Sequence, residues 1–226
     1  MQKNITPIAI IENDYKEKFG IPRNSGRAKS VISKITFDKE FRSIDAVRGL
    51  SDFSHLWLIF DFSLIKQEKF TPLVRPPRLG GNKKVGVFAS RSPFRPNGLG
   101  LSCVKLEKID LSDKCAPVIY VSGADLLDKT PIFDIKPYIP FADCLPDAVG
   151  GYADENKDHK LEVVFDKDTK EQIPQDKLSA LIECLADDPR PSYQNDDRIY
   201  GMTFANFNVK FSVKDNLLTV NQIEIL

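Results

Sequence analysis

The sequence predicts a mainly β fold: a small antiparallel β-barrel followed by a smaller C-terminal α+β domain. Three observations predict it. Strand-like segments separated by turn residues crowd the first 125 positions, helical periodicity is nearly absent before residue 150, and the composition changes after Asp147. Without regularly alternating helices a doubly wound parallel sheet is disfavoured, and closure of an antiparallel sheet is the economical alternative.

The elements follow in order. Ile5–Ile11, Val31–Phe37, His55–Phe62, Val85–Ala89, Leu99–Lys108 and Pro117–Gly123 are rich in β-branched and aromatic residues and read as strands. Asp45 is placed to cap a short helix over Ala46–Leu50. Gly150-Gly151-Tyr152 and the charged Asp154–Lys160 run mark a boundary, giving domains at 1–148 and 149–226. Beyond it, Leu161–Phe165 reads as a strand. Leu178, Leu181, Ile182 and Leu185 share one face of a helix over Gln175–Ala186, which Asp187-Asp188-Pro189 ends. Tyr200, Met202 and Phe204, then Phe207, Val209, Phe211 and Val213, alternate as strands, and Lys214-Asp215-Asn216 turns the chain into a last strand ending at Ile223–Leu226.

An apolar fraction of 42% with fifteen Phe supplies a packed core. No apolar run approaches the length of a membrane span, and the basic-then-apolar pattern of a signal peptide is missing, so a cytoplasmic location is expected. Cys103, Cys115, Cys144 and Cys184 are scattered and, with only His55 and His159, give no zinc spacing; no metal is expected. Net charge is zero, yet no Asp or Glu occurs between Lys69 and Leu106, where Lys69, Arg75, Arg78, Lys83, Lys84, Arg91, Arg95 and Lys105 are all basic. The compensating acid lies largely between Asp143 and Asp188. Such a segment either presents a positive field to a polyanion or pairs with the acidic half.

Common cofactor signatures are absent. Gly98-Leu99-Gly100 begins like a dinucleotide turn, but Cys103 occupies the third glycine position; Gly80-Gly81-Asn82-Lys83-Lys84 lacks the Gly-Lys-Ser/Thr of a phosphate loop. In their place stand three loop segments combining Arg with Pro: Pro22-Arg23-Asn24-Ser25-Gly26-Arg27, Arg75-Pro76-Pro77-Arg78 and Arg91-Ser92-Pro93-Phe94-Arg95-Pro96. A guanidinium binds anions bidentately, and proline reduces the entropy lost on ordering; three such segments in one domain favour function over ordinary turns. Asp125, Asp128 and Asp134 bracket Lys129-Thr130-Pro131 and lead into Lys136 and Tyr138, a set able to orient a substrate or move a proton, with a surface turn and edge strand as the plain alternative. In the tail, Arg190, Tyr193 and Arg198 suit single-stranded RNA, where bases stack on aromatics and phosphates meet arginine, with packing of Tyr193 against the final hairpin as the equal alternative.

Taken together the motifs resemble the TsaA-like family, also called YaeB or TrmO, the tRNA N6-threonylcarbamoyladenosine methyltransferases. The resemblance rests on Pro22-Arg23 with Ser25-Gly26, Asp45-Ala46-Val47-Arg48-Gly49-Leu50 and Phe53-Ser54-His55-Leu56-Trp57. It continues through Arg75-Pro76-Pro77-Arg78-Leu79-Gly80-Gly81-Asn82, Gly86-Val87-Phe88-Ala89, Arg91-Ser92 and Phe94-Arg95-Pro96-Asn97. Asp134-Ile135-Lys136-Pro137-Tyr138 and Asp188-Pro189-Arg190-Pro191-Ser192-Tyr193 complete it. Gly98 and Ser192 depart from the family pattern without removing a functional side chain.

The resemblance implies a barrel that binds S-adenosylmethionine outside the Rossmann-type fold, a homodimer with the cofactor near the subunit interface, and a C-terminal domain that helps hold the anticodon loop of tRNA. It places cofactor contacts at Pro22, Arg23, Asn24, His55, Leu56, Arg91, Leu101, Asp128, Lys129, Thr130 and Pro131. RNA contacts are expected from Arg75, Arg78, Arg95, Arg190, Tyr193 and Arg198. Asp134 or Tyr138 is expected to assist loss of the N6 proton, with Lys136 or an arginine holding the threonyl carboxylate. Two other readings account for the same residues: a non-catalytic RNA-binding barrel, and a cofactor-binding sensor dimer.

Overall fold

The structure, a computed structural model, describes residues 4–65, 69–79, 83–191 and 198–226, without the side chains of residues 78, 156 and 167. Strands β1 (Ala9–Glu12), β2 (Ile32–Phe37), β3 (His55–Asp61), β6 (Leu99–Asp110), β7 (Val118–Ser122) and β8 (Pro131–Pro137) close a barrel in the order β1-β2-β7-β6-β3-β8, all neighbours antiparallel. The short strands β4 (Leu73–Val74) and β5 (Val85–Gly86) form a separate hairpin between β3 and β6.

Alternation drives closure. In β3, Leu56, Leu58 and Phe60 point inward and are buried, while His55, Trp57, Ile59 and Asp61 face outward. Ile11, Ile35, Ile119 and Ile132 complete the interior from the other strands. Gly100 lets the ring of Phe60 cross β6: a Cβ there would lie 2.2 Å from the phenyl.

Two expectations change. The predicted helix over Ala46–Leu50 is a pair of 3₁₀ turns, Ile44–Val47 and Leu50–Asp52, interrupted at Gly49, whose φ of +79° leaves the helical region. The strand expected over Val85–Ala89 stops at Gly86, because Val87–Ala89 turns into a 3₁₀ helix. Strand β8 emerges where the sequence left a turn and an edge strand. Its register against β3 shifts between Ile59 and Phe60, so Phe133 is the extra residue of a bulge that breaks the alternation.

The second unit is a four-stranded sheet in the order β10-β11-β12-β9, from β9 (Glu162–Phe165), β10 (Tyr200–Phe204), β11 (Phe207–Lys214) and β12 (Leu217–Ile225). Among the described residues, helix α1 (Pro140–Asp143) is a single turn and α2 (Gln175–Ala186) packs Leu178, Leu181, Cys184 and Leu185 into the second core. That core also takes Tyr15, Ala28 and Val31 from the segment between β1 and β2, so this segment is shared by the two units. Acidic residues near the end of α2 close the junction. Asp187 pairs with Arg27, and Glu183 accepts from the Ser30 amide at 2.7 Å and the Ser30 hydroxyl at 2.8 Å. Part of the acid in the C-terminal half is therefore spent on the chain's own β1–β2 segment.

Candidate functional site

Sheet register gathers the chemistry onto the outer face of β6, β3 and β8. Leu101 lies opposite Ile59, which lies opposite Asp134; Cys103, Trp57 and Lys136 form the next outward row. The β8 bulge puts Asp134 and Lys136 on the same outward side despite the broken pattern. Lys136 Nζ sits 2.8 Å from Asp134 Oδ2. Tyr138 donates its amide to the His55 carbonyl at 2.9 Å, and its ring lies 5.7 Å from that of Trp57 and 6.2 Å from the His55 ring. Trp57 is fixed in turn by its indole N–H, which donates to Asp143 at 3.1 Å. Burial, with Cys144 adding to it, raises the Tyr138 phenol above its ordinary value, so it is a neutral donor at neutral pH.

A second polar group flanks the same stretch of β6. The hydroxyl of Ser102, next to Leu101, donates to the carboxylate of Asp125. Burial raises the Asp125 carboxyl; the Ser102 hydroxyl, its own and the Ser25 backbone, and the Arg91 charge act against that rise. Arg91 Nη1 reaches Asn24 Oδ1 at 3.5 Å. The loop holding Asn24 and Ser25 is laid against the end of β7: the Gly26 amide donates to the Gly123 carbonyl at 2.8 Å, and both glycines have positive φ. Asn24, Arg91 and Asp125 thus gather beside Ser102, whose side chain is buried, while the neighbouring Leu101 is exposed on the opposite face of β6. Asp125 belongs to the carboxylates that bracket Lys129-Thr130-Pro131 in the sequence, and its contact with Ser102 depends on the fold rather than on any local motif.

Other expected contacts lie elsewhere. Leu56 is fully buried in the barrel and Pro22 is buried, so packing accounts for both side chains. Arg23 faces the second unit, donating from Nη2 to the Arg190 carbonyl at 2.7 Å. The Asp128–Pro131 turn clamps β1. Asp128 accepts from the Asn13 amide at 2.9 Å and pairs with Lys16 at 2.8 Å, Lys129 pairs with Glu12, Thr130 is buried, and Pro131 sits opposite Ile10.

Of the RNA candidates, Arg75 is exposed, and Arg95 Nη1 donates to the carbonyls of Val87 at 3.1 Å and Ser90 at 2.7 Å. Arg190 is buried, with Nε 3.0 Å from Asp188 Oδ1. Arg198 is exposed and stands 4.6 Å over the Tyr200 ring. The Arg78 side chain and Tyr193 fall outside the described residues.

A cavity of about 440 Å³ lies at the junction of the two units, between Phe19, Ile21 and Arg23 on one side and Cys184, Asp187 and Asp188 on the other. None of its lining residues is on β3, β6 or β8. Among the described residues there is no cluster suited to a metal ion, and no helix is long and apolar enough to cross a membrane.

The tRNA-methyltransferase O N-terminal domain profile matches residues 10–144, and the profile of the C-terminal domain matches residues 158–225. The chain belongs to the tRNA-methyltransferase O family. It is 41% identical over 219 residues to a tRNA (adenine(37)-N6)-methyltransferase of Escherichia coli, covering 92% of each chain. A putative S-adenosylmethionine-dependent methyltransferase of Pseudomonas aeruginosa is 39% identical, again over 92% of each chain. Crystal structures of TrmO share the family fold throughout: the Pseudomonas aeruginosa protein superposes with a TM-score of 0.83 at 30% identity, over 100% of this chain and 98% of that one.

Proposed function

We propose that the protein transfers a methyl group from S-adenosylmethionine to N6 of N6-threonylcarbamoyladenosine at position 37, in the anticodon loop of tRNA, and does so as a cytoplasmic homodimer. The coarser activity is that of the family: an S-adenosylmethionine-dependent tRNA adenine-N6 methyltransferase. The observation that carries it is similarity across both units, since the relatives align over 92% of their length and barrel and C-terminal sheet are present together.

The residues around β6 fit such a cofactor. The Asp125 carboxylate and the Arg91 guanidinium offer both signs of charge, as the amino-acid end of the molecule requires, with Asn24 beside them. Leu101, 55% exposed, and Ile59 offer apolar surface to a purine. S-adenosylmethionine supplies a methyl group already activated on a sulfonium, so the protein has to orient, exclude water and manage one proton.

The target nitrogen is a poor nucleophile because the carbamoyl group withdraws its lone pair, and loss of its proton restores it. Two residues are candidates, and the geometry favours one. Tyr138 is held neutral and can donate or stack, but at neutral pH it has no phenolate to accept a proton. Asp134 is a carboxylate on the open face in the row of Leu101 and Ile59, so it is assigned as the proton acceptor. Lys136 pairs with Asp134 and orients it; the threonyl carboxylate is left to Lys136 or an arginine. For the homodimer, support comes from the exposed apolar residues Leu101, Phe141 and Leu145 beside this face, at 55%, 93% and 74% exposure. The cytoplasmic location is supported by four free cysteines.

The test is incubation of purified protein with labelled S-adenosylmethionine and two tRNA pools, one containing and one lacking threonylcarbamoyladenosine. Label should enter only the first pool. Equal labelling of both would remove the threonylcarbamoyl group from the proposal, and labelling of neither with cofactor bound would favour the sensor reading.

A further inference from the structure

The acid-free segment carries two aromatic residues that the proposed reaction leaves unused. Phe88 is 72% exposed and Phe70 56% exposed, and their rings stack with centroids 6.3 Å apart and planes 24° from parallel. Their placement is built into the chain. The β4–β5 hairpin pairs Leu73 with Gly86 and Val74 with Val85, and the Val87 amide donates to the Pro72 carbonyl at 2.9 Å, which sets the two rings side by side at the hairpin's open end. Val87 is buried and anchors the 3₁₀ turn. Arg95 closes that turn with its bonds to Val87 and Ser90, and its guanidinium stands 5.9 Å from the Phe88 centroid.

Water is a poor partner for two stacked phenyl rings, so the surface calls for an occupant. We propose that Phe70 and Phe88, positioned by Arg95, form a stacking platform for an unpaired base of the tRNA substrate. The inference rests on the reading above that this substrate is tRNA. Charge decides between RNA and a second copy of the chain. The segment bearing the rings also bears Lys69, Arg75, Lys83, Lys84 and Arg91, all exposed, and no acidic residue. A two-fold contact centred on this patch would set like charges together, whereas a nucleic acid offers phosphates to the cations and a flat base to the ring.

The experiment measures affinity of the full-length protein for purified tRNA and for its isolated anticodon stem-loop. It is done at several salt concentrations with S-adenosylhomocysteine present, and sedimentation mass is recorded for each variant. Phe88→Ala and Phe88→Leu should each weaken binding about 5-fold or more, since a base stacked on an aromatic contributes about 5- to 150-fold. The slope of log Kd against log salt should stay constant, because a phenyl ring releases no counterion. Phe88→Trp should restore affinity. An apolar protein contact accepts leucine; stacking does not. Wild-type affinity in Phe88→Leu, or a change of sedimentation mass in any Phe88 variant, would overturn the inference by assigning the ring to a protein interface. If wild-type protein binds and methylates tRNA while Phe88→Leu does the same, the platform alone fails; if wild-type protein binds no tRNA, the functional reading fails with it.

Discussion

Replacing Arg27 by alanine should uncouple the two units, and the structure sets the size of the effect. Arg27 pairs through Nε with Asp187 and donates to the carbonyls of Lys157 at 2.8 Å and His159 at 3.0 Å. The Asp187 side chain is 5% exposed and that of Arg27 is 21% exposed. Breaking a buried pair from one side costs about 3–5 kcal/mol, because the remaining charge stays buried. Arg27 is one-fifth exposed, and Asp187 still accepts from the Arg23 amide at 3.4 Å, so the lower end applies, about 3 kcal/mol. For a chain of this size that corresponds to a fall of about 6–12 °C in Tm. Urea unfolding followed by two probes is the assay. Trp57 is the only tryptophan and sits on β3, so its fluorescence reports the barrel, while far-ultraviolet circular dichroism reports both units. The two transitions should coincide in the wild type and separate in Arg27→Ala. The double variant Arg27→Ala/Asp187→Asn should recover part of the loss, since the stranded charge is gone. A loss below about 1 kcal/mol with coincident transitions would refute the clamp.

Three further outcomes are expected. Asp125→Asn should weaken S-adenosylmethionine binding in calorimetry by about tenfold or more, the worth of a charge-assisted contact. Its carboxyl is raised by burial, so its ionised form costs stability above the folded-state pKa and nothing below the ordinary aspartate value near ~3.9. The variant should therefore melt no lower than wild type at neutral pH, and wild-type cofactor affinity should fall on acidification at a higher pH than an ordinary aspartate would give. Asp134→Asn should lower the single-turnover rate by about 10²–10⁴, and Tyr138→Phe by much less; near-normal rates in both would end the proton-acceptor assignment. Arg75→Ala should reduce the salt slope of tRNA binding by about one, whereas Arg190→Ala should lower Tm and leave that slope unchanged, because Arg190 is buried against Asp188.

Elements with an uninterrupted period were legible in the sequence: α2 occupies the expected Gln175–Ala186, and β3 and β11 keep strict alternation. β8 was not, because the extra residue Phe133 shifts the phase and prolines stand at both ends. The sharing of residues 13–31 with the second core was equally hidden, since the partners of Tyr15 and Ala28 lie more than a hundred residues away. In the site, the outward row from Leu101 to Asp134 depends on register, which no local motif encodes. Arg95 and Arg190 read as phosphate binders because their neighbours are loops; the structure commits both to carbonyls or carboxylates of the chain itself. The Asp128–Pro131 turn likewise combines polar groups that serve to hold β1.

The central claim is methylation of N6 on a threonylcarbamoylated adenosine. It is tested most directly by nuclease digestion and mass spectrometry of tRNA from cells lacking this protein, before and after incubation with the protein and S-adenosylmethionine. The threonylcarbamoyladenosine peak should decline and be replaced by one heavier by a single methyl group, with fragmentation placing that methyl on the base. A methyl group on unmodified adenosine, on the ribose or on another nucleoside, with the threonylcarbamoyladenosine peak unchanged, would contradict it.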